Sequence, residues 1–289
     1  MKPTRGILLA TLLFTGAMAG TLRWTEPAAV WPDTAGSETF RQGLVGLTSA
    51  DDATLWAAWA RWDGQVSMAM AARHDGDSWH PPEHIGTGIG ALALDHEHNP
   101  WIAFVRRQAP EWQCVYTRRS ADTWTHPAVF FSDTAPPSYP VLAPHPRQGV
   151  QALWYYGWDA LWVTAQGTAD SWTTPHVLDA APMYLHAHYL GIARLNDSLL
   201  IAGWSCYPDD RGRNLYTSIG SGTNWTEPVN VVFPSPHIID DQPVMWMDPS
   251  GHTRIAWQAG YLHSARFDGS QWVEPVVLDS GPGRGYLSG

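Results

Sequence analysis

Trp225-Thr226-Glu227-Pro228 repeats, letter for letter, Trp24-Thr25-Glu26-Pro27. Four further Trp-x-x-Pro phrases begin at Trp79, Trp124, Trp172 and Trp272. Successive phrases are 55, 45, 48, 53 and 47 residues apart. A fixed beat of this length marks a structural repeat rather than chance use of Trp.

Working outward, each full repeat has one internal order. A short apolar run comes first (44–47, 91–94, 140–143, 191–195, 243–247), and a polar turn follows. A second run carries an aromatic residue at one place: Trp59, Phe104, Trp154, Trp204 or Trp257. A third run ends in turn-forming residues, as in Asp75-Gly76 and Asp268-Gly269, and the Trp-x-x-Pro phrase closes the unit. The runs are rich in Val, Ile, Leu, Trp and Tyr, and Gly, Asp, Asn, Ser and Pro separate them. No stretch beyond the first residues holds a helical period over eleven or more positions.

Four strands per unit of this size is a propeller blade. One such sheet is apolar on both faces and needs a neighbour on each. The repeated Trp is expected between blades, and its Pro suits an outermost strand, where a missing N–H breaks no ladder. A β-solenoid is the rival, with turns usually shorter than these. The fold class is all-β: a β-propeller of four-stranded antiparallel blades. Five complete blades are expected near 43–86, 87–132, 139–179, 189–233 and 241–279. Trp24 supplies the outer strand of a sixth, incomplete blade that closes the ring, lacking about 35–40 residues at this repeat length. A closed five-bladed ring with Trp24 as an extra strand is the alternative.

The first 19 residues read as an export signal. Lys2 and Arg5 precede an apolar Gly6–Phe14, and Ala17-Met18-Ala19 has the small-x-small form of a cleavage site. The apolar run is too short for a permanent membrane span. The expected organisation is residues 1–19 as signal peptide and 20–289 as one propeller domain, secreted or periplasmic. No integral membrane segment is expected after cleavage. Cleavage moves the net charge from −10 to about −12. That excludes a nucleic-acid partner, which would need a basic face. Cys114 and Cys206 fall in non-adjacent repeats and are expected as buried thiols.

Ligand-binding residues are expected in two loop sets on one face: those joining successive blades, and those joining second to third strands within a blade. Substrate-binding candidates there are Arg41, Arg61, Arg107, Tyr156, Trp158, His186, His188, Arg211 and Asp241. Guanidinium groups fork onto the carboxylate of a sugar acid, and aromatic rings stack on sugar faces. His186 and His188 would share a face on a strand, but their spacing matches no zinc pattern. No metal or cofactor is expected. His96 and His98 belong to a first-to-second-strand turn on the opposite face and are expected as turn residues.

The third-turn phrases resemble the sialidase superfamily, whose bacterial neuraminidase repeats ride on a six-bladed propeller. Its Asp-box reads Ser-x-Asp-x-Gly-x-Thr-Trp. Ser120-Ala121-Asp122-Thr123-Trp124 and Thr168-Ala169-Asp170-Ser171-Trp172 are shortened relatives. Phe40-Arg41 stands where the family places Phe/Tyr-Arg-Ile-Pro, whose Arg grips the substrate carboxylate; the Ile-Pro half is absent. The resemblance implies substrate contact by Arg41 and a catalytic acid at Asp63, while the family's Tyr and Glu have no assigned counterpart. Two functions follow as expectations. One is a secreted module binding a glycan or an exported protein; the other is a sialidase-like glycoside hydrolase with an Arg-lined site.

Overall fold

The computed structural model describes residues 8–9, 28–29, 42–49, 54–62, 65–138, 140–147, 149–156, 160–168, 171–179, 190–209, 212–231, 241–248, 250–259 and 261–279. Every regular element among them is a strand. Apart from a two-residue pairing of Leu8–Leu9 with Ala28–Ala29, the strands form five antiparallel sheets, blades I to V.

Blade I runs Gln42–Ser49, Leu55–Trp62, Ser67–His74 and Glu83–Thr87. Blade II begins Ile89–Leu94, Pro100–Gln108 and Glu111–Ser120; blade III, Val141–Pro144, Val150–Tyr156 and Ala160–Thr168. Blade IV begins Leu190–Arg194, Leu200–Asp209 and Gly212–Ser221. Blade V is Asp241–Met247, Thr253–Ala259, Tyr261–Phe267 and Trp272–Asp279. Strands pair in chain order within each blade. The first strands of I to V also pack side by side in that order, which makes them the hub. This is a β-propeller, and the expected blade boundaries agree within three residues. Trp24 and the segment after Asp279 lie outside the described residues.

Period-two alternation explains the seams between blades. On each second strand, one parity faces the preceding blade and the other the following one. Phe104 packs with Trp56, Ala58, Ala69 and Ile85 of blade I. Trp154 packs with Val105 and Cys114 of blade II, and Trp204 with Leu153, Tyr155 and Leu178 of blade III. Trp257 meets Leu215 and Val231 of blade IV. The closing Trp of a blade reaches back the same way. Trp124 sits 5.8 Å edge-on to Trp56, and Trp172 stacks at 4.5 Å on Phe130. Trp225 joins the III–IV core and Trp272 the IV–V core. Fully burying such a ring contributes about 1.5–3 kcal/mol, so the seams hold the ring together.

The Trp-x-x-Pro phrase differs from expectation in one respect. In blades II to IV it is not one continuous strand. The Trp lies in a two-residue pairing (Thr123–Trp124, Ser171–Trp172, Asn224–Trp225), and a second short strand follows the Pro (Ala128–Asp133, His176–Asp179, Val229–Asn230). Pro cannot donate to a ladder, so the strand breaks there. The Thr after the Trp bridges the break. Thr125 Oγ1 accepts from the Arg118 N–H (3.1 Å), and its carbonyl accepts from Thr117 Oγ1 (2.6 Å). Thr226 repeats this with the Ile219 N–H (3.0 Å) and Ser218 Oγ (2.7 Å). Blade V has Val273 instead and keeps Trp272–Asp279 continuous, with Glu274 at φ 55° ahead of Pro275 and a register shift opposite.

The third-to-fourth-strand turns at Asp75-Gly76 and Asp268-Gly269 are Asx turns. Asp75 Oδ1 accepts from the Asp77 and Ser78 N–H groups, and Asp268 Oδ1 from those of Ser270 and Gln271. Gly76 and Gly269 then take φ of 98° and 103°, which suits a residue without Cβ. Cys114 is buried as a free thiol, and burial pushes its ionisation up. The Cys206 side chain lies outside the described residues.

Candidate functional site

The strand ends define two rims. One carries the second-to-third-strand hairpins. Arg61 and Arg107 stand at or near the ends of their second strands there, and Tyr156 ends the equivalent strand of blade III. Asp241 opens blade V on the same rim, in register with Gln258. The backbone therefore brings these four expected residues to one side of the propeller. Arg61 is half-buried and Arg107 is exposed. The side chains of Tyr156 and Asp241 are not among the described ones. Arg41, Asp63, Trp158, His186, His188 and Arg211 also lie outside the described residues.

The blade II hairpin is the best-defined part of this rim. Arg107 and Trp112 are cross-strand partners, and the guanidinium carbon lies 5.7 Å from the indole centroid. Beside them Arg106 Nε donates to Gln113 Oε1 at 2.9 Å, and Ser132 Oγ donates to Glu111. A flat cation over a half-buried ring is the kind of surface that meets a sugar with one face apolar and its edge polar.

The opposite rim carries the first-to-second and third-to-fourth turns, and there blades I and II part to leave a cavity of about 250 Å³. Blade I contributes Trp56 and Arg73; blade II contributes Glu97, His98, Asn99, Arg119 and Ala121. The blade II turn is built on Asp95. Its Oδ1 accepts from the Glu97 and Asn99 N–H groups (both 2.9 Å), and its Oδ2 from Trp101 Nε1 (2.9 Å). That turn holds His98 at φ 65°, and Ala121 across the cavity is at φ 54°. Non-glycine residues seldom sit there, at a cost of order 1–2 kcal/mol each. His98 is thus a turn residue, as expected, but it also lines a cleft that sequence reading missed.

Arg119 is fixed within this cleft. It pairs with Glu83, donates to the Asp122 carbonyl at 2.9 Å, and lies 5.2 Å from the Trp56 centroid. Arg73 has no such anchorage. Among the described residues its one side-chain polar contact is with His80 Nε2, at 3.4 Å. That same nitrogen lies 2.9 Å from Asp75 Oδ2. The N–H groups of Ser78 and Asp77, then His80, hold the Asp75 carboxyl at about 2, so it is ionised and can only accept. The proton must then sit on His80 Nε2, and Arg73 faces a donor with a donor. A signal was present in the sequence: Trp56 and Arg73 form a cross-strand pair, as do Trp101 and Arg118 in blade II, where the later blades have Gln151, Ile201 and Arg254 at the Trp position.

Comparison with known proteins agrees with the fold. No protein-family profile matches the chain, and no characterised sequence matches it. Solved structures do. The Aleuria aurantia lectin bound to Fucα1-6GlcNAc is similar at 12% identity and TM-score 0.60, over 93% of this chain and 89% of the lectin. A protein of unknown function from Dyadobacter fermentans is similar at 15% identity and TM-score 0.58, over 86% and 78%. A polysaccharide lyase of the ulvan lyase type, bound to a glucuronic acid–sulfated rhamnose unit, gives 10% identity and TM-score 0.56, over 78% and 69%. The same lectin, also solved as a six-bladed β-propeller, shares this architecture. At such identities the likeness is one of fold.

Proposed function

We propose that this chain is an exported carbohydrate-binding propeller whose hairpin rim receives a glycan. The observation that carries this reading is the Arg107–Trp112 pair, on the rim to which the backbone also brings Arg61, Tyr156 and Asp241. Similar propellers bound to a fucoside and to an acidic saccharide support the ligand class. Binding needs only a ring face and forked donors, which the rim supplies. Sialidase-like hydrolysis is the second reading, favoured by the Asp-box-like third turns; it would require Arg41 and Asp63 to converge with further Arg residues at the axis. An exported protein ligand is the remaining possibility for the same rim.

A glycan array with the purified protein, run beside turnover of a fluorogenic sialoside, tests this. The expected result is selective glycan binding, weakened at least tenfold in Trp112→Ala, and no turnover. Sialoside turnover would replace the binding reading with the hydrolase. An array without signal would sink a glycan ligand at this rim.

A further inference from the structure

The cleft between blades I and II lies on the rim opposite the proposed glycan surface, and it has the marks of a second site. It holds one guanidinium with no fixed acceptor among the described residues, a second locked in place, an indole floor, and two residues in a backbone region that non-glycine residues avoid. We propose that it binds a single acidic sugar residue, a uronic acid, through its carboxylate. The ligand class rests on the carbohydrate reading above; the location does not.

Charge and size both narrow the ligand. Arg119 is paired with Glu83, whereas the carboxylate beside Arg73 among the described residues, that of Asp75, is already engaged by two backbone N–H groups and His80. The Arg73 guanidinium is therefore the group that meets a ligand carboxylate, whose two oxygens match its fork. Glu97 and Asn99 stand on the opposite wall, with the carboxylate able to accept from sugar hydroxyls. A cavity of about 250 Å³ is below the usual range for drug-sized ligands and takes one ring, not a chain. Arg73 is the specificity-determining residue: it separates a uronic acid from the neutral sugar of the same shape.

The test is a titration of the full chain with D-glucuronate and, separately, D-glucose. It is followed by Trp fluorescence and NMR, with thermal melting as a check on folding. Wild type should bind glucuronate at least tenfold more tightly than glucose. Arg73→Gln should lose that preference with an unchanged melting point, and Arg73→Lys should keep part of it through charge alone. Equal binding of the two sugars, no glucuronate binding by wild type, or an unchanged preference in Arg73→Gln each overturns the proposal. The array result for the hairpin rim is read separately. Glucuronate binding lost in Arg73→Gln stands whether or not the array is positive, and a positive array does not rescue a failed titration.

Discussion

The seam between blades I and II and the seam between blades III and IV share one apolar plan and differ in how they treat their polar groups. In both, an aromatic second-strand residue, Phe104 or Trp204, is buried against the preceding blade, and a closing Trp reaches back over it. At III–IV the polar edge is knitted shut. Gln151 donates through Nε2 to the Gly222 carbonyl (3.3 Å) and accepts through Oε1 from the Gly222 N–H (3.1 Å). Ser221 Oγ bonds His145 Nε2 at 3.0 Å, and Trp225 Nε1 donates to Gly222 at 2.9 Å. At I–II the position of Gln151 is Trp56, the edge stays open as a cleft, and the Trp124 Nε1–H is buried without an acceptor among the described residues. Burial holds the blades together in both places; polar complementarity decides which seam is left open to a ligand.

The largest effect should come from the shared floor. Phe104→Ala and Trp204→Ala should each cost about 3–5 kcal/mol in urea unfolding. A gap of more than about 2 kcal/mol between them would mean that the apolar plans are not equivalent. Next, Gln151→Leu leaves the half-buried Gly222 N–H without its acceptor, while the carbonyl keeps Trp225 Nε1, and should cost about 1–2 kcal/mol, whereas a null effect on the melting point would show that the bond is replaceable. A finer contrast pairs Trp225→Phe with Trp124→Phe. Both lose similar volume, but only the first loses an indole hydrogen bond, so it should be worse by about 1 kcal/mol. Equal losses in denaturant titrations would contradict the claim that seam I–II leaves its indole unpaired.

The smallest effect concerns acid. Asp75 has its carboxyl lowered from 3.8 to about 2 by the Ser78 and Asp77 N–H groups and His80. A depressed folded value means its contribution is complete above the unfolded value and lost as pH falls from about 4 through 2. The melting point of wild type should therefore drop more steeply across that window than that of Asp75→Asn. Parallel curves would remove the ionised Asp75 from the account of Arg73.

Much of this was legible in the sequence because packing repeats. The beat of Trp-x-x-Pro, the fixed second-strand aromatic and the Asp-Gly turns each recur, so periodicity reported blade count, boundaries and inter-blade Trp positions. The placement of Arg61, Arg107, Tyr156 and Asp241 on one rim followed from strand alternation alone. The cleft did not follow, because it comes from a departure from the repeat: Trp56 and Arg73 are paired across blade I, while the gap they border is lined on its other side by residues between Glu97 and Ala121 of blade II. The Thr that spans the strand break was equally hidden. Four of the six phrases contain it, but the need for a hydroxyl appears only once the Pro is seen to interrupt the ladder.

That interruption has a consequence for how the molecule meets its neighbours in a crowded compartment. A sheet perimeter with an unbroken row of free amides and carbonyls invites another chain to add itself as the next strand. In blades II to IV the proline gap cuts that row into pieces of two to six residues. Among the described blades, blade V, eight residues long at its margin and exposing Val276, Val277 and Leu278, forgoes that safeguard.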